Sequence, residues 1–309
     1  MPSSSPRAKK QIEDGRIRTL LLWYRRHGRD LPWRRTRDPY AICVSEIMLQ
    51  QTQVARVIPF YESWMKRFPS WESLANANTP ELIRAWSGLG YNRRALYLRE
   101  AAKTVCERGV PHTEEGWRAL KGIGPYAAAA IHTFVAQEPA AAIDTNVRRV
   151  IGRLVLRKPF PTQQDDHAVR RALQAIFHRK QDWKALHAIM DLGAMVCQAR
   201  KPNCLECPLR EQCVSAKRFL TSSVVRPKTA IVQERIHEGK RFPDRIYRGR
   251  ILRLLQTASS YSIRRIGNMI DDSYDDTQDR EWILRMIDRM QRDGLIEMKR
   301  ERIQLPIQK

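Results

Sequence analysis

The chain has 309 residues, 42% of them hydrophobic, enough for one large core or two smaller ones, with two domains the expected division. Lysine and arginine outnumber aspartate and glutamate 56 to 33, a formal charge of +23 that points to a polyanionic partner. No run approaches 18 consecutive apolar residues and MPSSSPRAKK has no apolar centre, so neither a membrane span nor a signal peptide is expected, and the location is expected to be cytoplasmic, nucleoid-associated in a prokaryote.

Residues 1–9 read as a disordered tail. From residue 10 the hydrophobic period is close to 3.6: KQIEDGRIRTLLLWYRRH places Ile17, Leu20, Leu21 and Tyr24 on one face, and PYAAAAIHTFVA, TNVRRVIGRLVL and HAVRRALQAIFHR repeat the pattern. The fold class is therefore all-α over residues 10–216. Basic residues are scattered through these helices with no amphipathic segment beside an anchor, which favours nucleic acid over a membrane surface. The charge is uneven, with 43 basic and 23 acidic residues in 1–245 against 13 and 10 in 246–309.

In LKGIGPYAAAAI (120–131), Gly122, Gly124 and Ala127 satisfy a loose dinucleotide fingerprint, which has meaning only after a strand. The preceding EEGWRALK reads as a helix, so that reading fails. A helix, a G-x-G turn and Pro125 at the start of a second helix make a helix-hairpin-helix, whose bare amides and helix N-terminus suit a DNA phosphate. An ordinary helix-helix turn with a glycine cap remains the alternative.

Cys197, Cys204, Cys207 and Cys213 have the spacing C-x6-C-x2-C-x5-C, and in a reducing compartment four such thiolates can enclose one metal centre. Zinc usually takes two short knuckles and only Cys204 and Cys207 form one here, whereas an iron-sulfur cube tolerates wider loops. Disulfides are a third reading. Cys43 and Cys106 read as isolated buried thiols.

The hairpin, Asp144 shortly after it in AAIDTNVRRV, and this cysteine loop resemble the endonuclease III superfamily of DNA glycosylases. Within it, LPWRRTRDPYAICVSEIMLQQTQV, GLGYNRRA and IMDLGAMVC resemble adenine glycosylases of the MutY type, over about residues 10–216. The resemblance implies a 4Fe-4S cluster on the four cysteines and a partner that is double-stranded DNA containing a mismatch, handled by a monomer.

Releasing adenine requires the base to leave protonated and the oxocarbenium-like sugar to be stabilised, work for two carboxylates. Glu46 stands in ICVSEIMLQ, read as an apolar helix start where burial raises a carboxyl pKa and lets it donate a proton; a first-turn glutamate facing solvent is the alternative. By resemblance Glu46 protonates the adenine ring. Asp144 reads as the N-cap of the next helix, and a carboxylate held by amides stays ionised; by resemblance it stabilises or captures the sugar cation. The family's usual next residue is glycine and here it is Thr145, while Asn146 keeps the Asp-x-Asn pattern. Where some relatives carry a nucleophilic lysine, two residues after the second hairpin glycine, this chain has Tyr126, so a monofunctional enzyme is expected.

Extruding a base requires wedges in the stack, and the resemblance assigns these to Gln51 and Tyr91; without it, Tyr91 reads equally as a core aromatic. It also assigns Trp33, Arg34, Tyr126 and Asn146 to the base pocket, with Asp191 accepting from the exocyclic amine and so repelling thymine. The rival within the superfamily is a thymine or uracil mismatch glycosylase.

Residues 217–245 mix proline, serine and charge like a linker. RGRILRLLQTA, SIRRIGNMI, REWILRMIDRMQRDG and the alternating LIEMKRERIQLP then read as three helices and a hairpin, a winged-helix-like domain over 246–309. The family often carries a Nudix-like module recognising 8-oxoguanine instead, so the opposing base stays open between G and 8-oxoguanine. Three roles are open for the small domain: DNA binding through Arg285, Arg289 and Arg292 of the third helix, docking of a protein partner, or a solvated structural cap. A non-enzymatic alternative for the whole chain is an iron-sulfur DNA-binding regulator.

Overall fold

The computed structural model describes residues 6–176, 183–221, 224, 234, 236–258 and 260–306. In chain order the helices are α1 (Pro6–His27), a 3-10 turn at Pro32–Arg34, α2 (Pro39–Leu49), α3 (Val54–Arg67), α4 (Trp71–Ala75), α5 (Thr79–Trp86), α6 (Arg93–Arg108), α7 (Glu114–Ala119), α8 (Pro125–Ala136), α9 (Thr145–Leu154), α10 (Asp166–Ile176), α11 (Lys184–Met195) and α12 (Ala216–Thr221). The C-terminal part adds α13 (Asp244–Leu254), β1 (Tyr261–Ser262), α14 (Ile263–Ile270), α15 (Arg280–Arg292), β2 (Glu297–Lys299) and β3 (Arg302–Gln304). Helix α1 therefore begins within the stretch expected to be a tail, while residues 1–5 and part of the expected linker (222, 223, 225–233 and 235) lie outside the described residues. No described helix is long and apolar enough to cross a membrane.

The chain divides into two compact units, residues 1–46, 111–119 and 123–229 in the first and 47–110, 120–122 and 230–309 in the second. In the first, α8 buries Ala127, Ala128, Ala129, Ala130 and Ile131 together, small side chains that let other backbones approach closely. Helix α9 packs on α11 because Gly193 is bare there: a Cβ on it would stand 2.7 Å from that of Asn146.

In the second unit α4 packs on α6, and Trp64 meets Trp86 edge-on at 5.2 Å between ring centroids. The buried face of α6 carries Ala95, Leu98, Ala101, Ala102 and Val105. Cys106 stands one residue, about 100° of helix, further round, and it is exposed, which corrects the expectation of a buried thiol. Cys43 is buried as expected.

The C-terminal segment folds as three helices beside an antiparallel sheet of order β1-β3-β2, with Tyr261 opposite Ile303 and Met298 opposite Ile303. Its core contains Ile251, Ile266, Ile283, Met286, Ile287 and Ile303. Lys240 closes it, its Nζ 2.8 Å from Asp271 Oδ2 and 2.6 Å from Asp279 Oδ2, with the ammonium over the Trp282 ring at 4.6 Å. Both carboxylates come from the acidic stretch DDSYDDTQD (271–279) between α14 and α15. On α15, Arg285 pairs with Glu281 and Arg292 with Asp288, a helical turn away, so two of the three arginines expected to face DNA already have anionic neighbours. The end of α15 is fixed instead by Asp293, whose Oδ1 lies 3.0 Å from Arg93 Nη1 of α6.

Burial raises the Asp271 carboxyl pKa, but its bonds from Lys240 and Ser273 outweigh that and hold it below the ordinary range. Its contribution is therefore present above the unfolded pKa and is lost as pH falls through the lower folded value. Lys240→Met strands two acids and is expected to cost about 3 kcal/mol at pH 7, with a smaller loss at pH 3, measured by urea unfolding at each pH.

Candidate active site

Glu46 is the eighth of the eleven residues of α2, near its end and not its start. It is 5% exposed, and among the described residues its Oε2 has no hydrogen-bond partner. Burial, then the negative charge of Asp144, push its pKa up to about 7, against a hydrogen bond from the Tyr126 hydroxyl and the charge of Arg34. The same burial and the same two carboxylates push the Tyr126 phenol well above its ordinary value, so it stays a proton donor to Glu46. Solvent exposure of a first-turn glutamate, the alternative from sequence, does not occur.

Asp144 caps α9: Oδ1 accepts from the Val147 backbone N–H at 2.6 Å, and Oδ2 accepts from Asn146 Nδ2 at 2.9 Å. Thr145 is the first residue of α9 and has no left-handed φ, so nothing in the backbone demands the family's glycine there. Asn146 is oriented from behind by Arg149, whose Nη2 donates to Asn146 Oδ1 at 2.7 Å and to Gly193 O at 2.6 Å, while its Nε donates to Cys197 O at 2.7 Å. One guanidinium thus ties the helix that carries Asp144 to α11 and to the first cysteine. No local pattern around Arg149 signals this role.

Trp33 is buried in the 3-10 turn. Arg34 follows it and binds Asp191 through two bonds, Nη1 to Oδ2 at 2.7 Å and Nη2 to Oδ1 at 2.9 Å. Arg29 adds its backbone N–H to Oδ2 at 2.8 Å and its Nε to Oδ1 at 2.7 Å. Asp191 is 0% exposed; burial would raise its carboxyl, but the two arginines outweigh that and leave it below the usual range. Both of its oxygens are spent on guanidinium and amide donors, so the expected acceptance from an exocyclic amine is corrected: Asp191 is the buried anchor of Arg34. Arg29 was not anticipated, because its partner is 162 residues distant. His187, one turn before Asp191, stacks on Phe134 at 3.9 Å and is held neutral by burial and by Arg34.

In the hairpin, Gly122 has φ +85 and a Cβ there would meet Tyr97 at 2.6 Å, whereas Gly124 faces open space. The two glycines therefore differ: the first satisfies a backbone and packing demand, and the second leaves the N-terminus of α8 uncovered as its N-cap. In the second unit, Gln51 is exposed with φ +54, and Tyr91 is 58% exposed with φ +48. Tyr91 is therefore no core aromatic.

Cys197, Cys204, Cys207 and Cys213 line one pocket together with Arg153, Asn203 and Phe219. Arg153 is buried, and its Nη1 reaches Cys197 Sγ at 3.4 Å and Gln198 O at 2.7 Å. Among the described residues no three His, Cys, Asp or Glu side chains are grouped closely enough to hold a single metal ion.

Residues 44–182 match the family model of the HhH-GPD superfamily of base excision DNA repair proteins. An adenine DNA glycosylase of Mycobacterium tuberculosis is 40% identical over 216 residues, covering 68% of this chain and 69% of the relative. The human adenine DNA glycosylase is 38% identical over 215 residues, 65% of this chain and 39% of that protein. Among solved structures, a thermostable thymine-DNA glycosylase superposes with a TM-score of 0.62 at 27% identity, over 68% of this chain and 99% of the other. Endonuclease III in a non-covalent DNA complex gives 0.57 at 22% identity, over 68% and 98%, a likeness of fold. The chain belongs to the HhH-GPD superfamily of base excision DNA repair proteins. The mycobacterial and human relatives are both adenine DNA glycosylases.

A carboxyl raised to about 7 in the folded protein destabilises the native state wherever the group is ionised there. The cost is absent below the unfolded pKa, grows as pH rises toward 7, and is complete above it. Glu46→Gln is therefore expected to stabilise the protein by on the order of 2–3 kcal/mol at pH 8 and hardly at all at pH 4.5, read as the difference between the two unfolding curves. An equal change at both pH values would contradict burial of an ionisable acid.

Proposed function

We propose that the chain hydrolyses the N-glycosidic bond of adenine mispaired with G or 8-oxoguanine in double-stranded DNA, without cutting the strand. The observation that carries this is the unpartnered Oε2 of buried Glu46 beside the N-cap carboxylate Asp144. Glu46, with its pKa near 7, keeps a substantial protonated fraction at neutral pH and delivers that proton to a ring nitrogen of the extruded base; as the bond to C1′ breaks, its electron pair leaves with neutral adenine. Asp144, fixed by the Val147 amide and Asn146, stabilises the sugar cation until water adds to C1′. Tyr126 fills the position of the nucleophilic lysine of some relatives, and a phenol held protonated forms no Schiff base.

The adenine assignment is supported by the 40% identity to an adenine DNA glycosylase. The saturated Asp191 contributes nothing to it, and a second reading, thymine or uracil opposite G, draws on the likeness to a thymine-DNA glycosylase. The C-terminal helices with sheet order β1-β3-β2 support a winged-helix-like module in place of a Nudix-like one, and the pairing of Arg285 and Arg292 on their own helix favours docking of a protein partner or a structural cap over DNA binding.

The donor set fits a 4Fe-4S cluster better than one zinc ion, since four thiols share a pocket without any three gathering at single-ion spacing. Cys197, Cys204, Cys207 and Cys213 would hold it. Bound, it supplies four metal-thiolate bonds that fix the 197–213 loop, with Arg153 compensating thiolate charge. Cys204→Ser is expected to remove the visible iron-sulfur absorbance; a protein that is colourless and zinc-loaded as purified would contradict the cluster.

Duplexes with A opposite G, 8-oxoguanine or C, and T or U opposite G, scored for strand breaks before and after alkali, test the activity. Breaks are expected only after alkali and only from A opposite G or 8-oxoguanine, and Glu46→Gln and Asp144→Asn should bind duplex yet excise nothing. Release of T or U instead would establish the second reading, and release of no base alongside redox-dependent DNA binding would establish the non-enzymatic regulator. The single-turnover rate should fall about tenfold per pH unit above pH 7 as Glu46 loses its proton. A rate independent of pH between 6 and 9 would remove Glu46 as the acid.

A further inference from the structure

Arg94, the second residue of α6, is buried, and among the described residues no carboxylate pairs with it. Its Nη1 donates to three backbone carbonyls, Ile47 O at 2.8 Å, Met48 O at 3.1 Å and Gln50 O at 2.5 Å. Its Nη2 donates to Thr52 Oγ1 at 3.2 Å, Leu89 O at 3.4 Å and Gly90 O at 3.1 Å. The first group lies at the C-terminal end of α2, where helical carbonyls lose their intrahelical donors; the last two lie in the Gly-Leu-Gly turn. One guanidinium therefore bonds both loops, and its plane lies 5.3 Å from the Trp86 ring and 5.5 Å from that of Tyr91.

The bonded groups stand next to two particular residues. Gln50 O and the Thr52 hydroxyl bracket Gln51, and Leu89 O and Gly90 O come just before Tyr91, so both exposed side chains project from segments that Arg94 bonds. Both take left-handed φ, +54 and +48, a strained conformation for a non-glycine residue that persists where surrounding bonds over-determine it. Burial without an anion lowers the Arg94 pKa to about 10, so it remains a cation at neutral pH. A planar fork of fixed donors can bridge two loops in this way, whereas the point charge of lysine cannot.

We propose that Arg94 is a positioning residue that locks the Gln51 loop and the Tyr91 loop into one rigid wedge, setting how the two side chains enter the duplex together when a base is extruded. The inference rests on the glycosylase reading above and deepens it: extrusion, distinct from the bond-breaking step, depends on a group that touches no DNA. Removing Arg94 frees both loops at once and leaves Glu46 and Asp144 unaltered.

The test uses the full chain and the Arg94→Lys variant, with 2-aminopurine as the target base opposite G in an Asp144→Asn background. The variant is expected to bind an undamaged duplex within about twofold of its parent while the emission rise that reports unstacking falls several-fold. With Asp144 intact, single-turnover excision should fall about tenfold, but less than about twofold when Gln51→Ala and Tyr91→Ala are already present, because the wedge it positions is gone. An equal loss in both backgrounds, or an undiminished emission rise, overturns the proposal. Should Arg94→Lys not fold, Thr52→Val removes one acceptor and is expected to cost about threefold, again only when the wedge is present. A parent chain that releases no base defeats the glycosylase reading, while the 2-aminopurine signal still reports on Arg94.

Discussion

The site depends on one electrostatic arrangement: a carboxyl buried without a counter-cation bonded to it, facing a second carboxylate that is kept in place by an amide. Desolvation and like charge act on Glu46 in the same direction, and neither would suffice if an arginine bonded it. Arg34 is the nearby candidate, and Asp191 keeps it occupied. The acid thus owes its proton to a salt bridge in which it takes no part.

Chain ends of helices supply the rest of the geometry. Asp144 is at once a cap and the carboxylate proposed to meet the sugar cation, so the bond that starts α9 also aims its carboxylate, and Arg149 couples that start to α11 and to Cys197. The open N-terminus of α8 at Gly124 is the corresponding feature at the hairpin, an uncovered set of amides suited to a phosphate. In each case backbone groups left over by helix formation become parts of the functional surface.

Much of this could be read from local pattern. The helices followed from hydrophobic period, the cap from Asp-Thr-Asn before an amphipathic run, the hairpin from two glycines and a proline, and the C-terminal helices and hairpin from short periodic segments. What escaped was fixed by distance or by a single step of helix. Asp191 lies 157 residues from Arg34, and nothing local shows that its oxygens are already taken. Glu46 looked like the opening of an apolar helix because the Asp-Pro pair at 38–39, which starts it, stands seven residues earlier. Cys106 falls just outside the buried stripe of α6. Arg94 and Arg149 act on carbonyl oxygens, which every residue type possesses, so their partners leave no compositional trace.

The contrast between the two thiols outside the 197–213 loop has a practical side. Cys43 is sealed within α2 beside Glu46, while Cys106 is open to solvent near the end of the helix whose first turn holds both wedge loops. A maleimide dye attached there would sit on the element that moves if those loops move, and so offers a place from which to follow single molecules scanning a duplex, with the reacting groups left untouched.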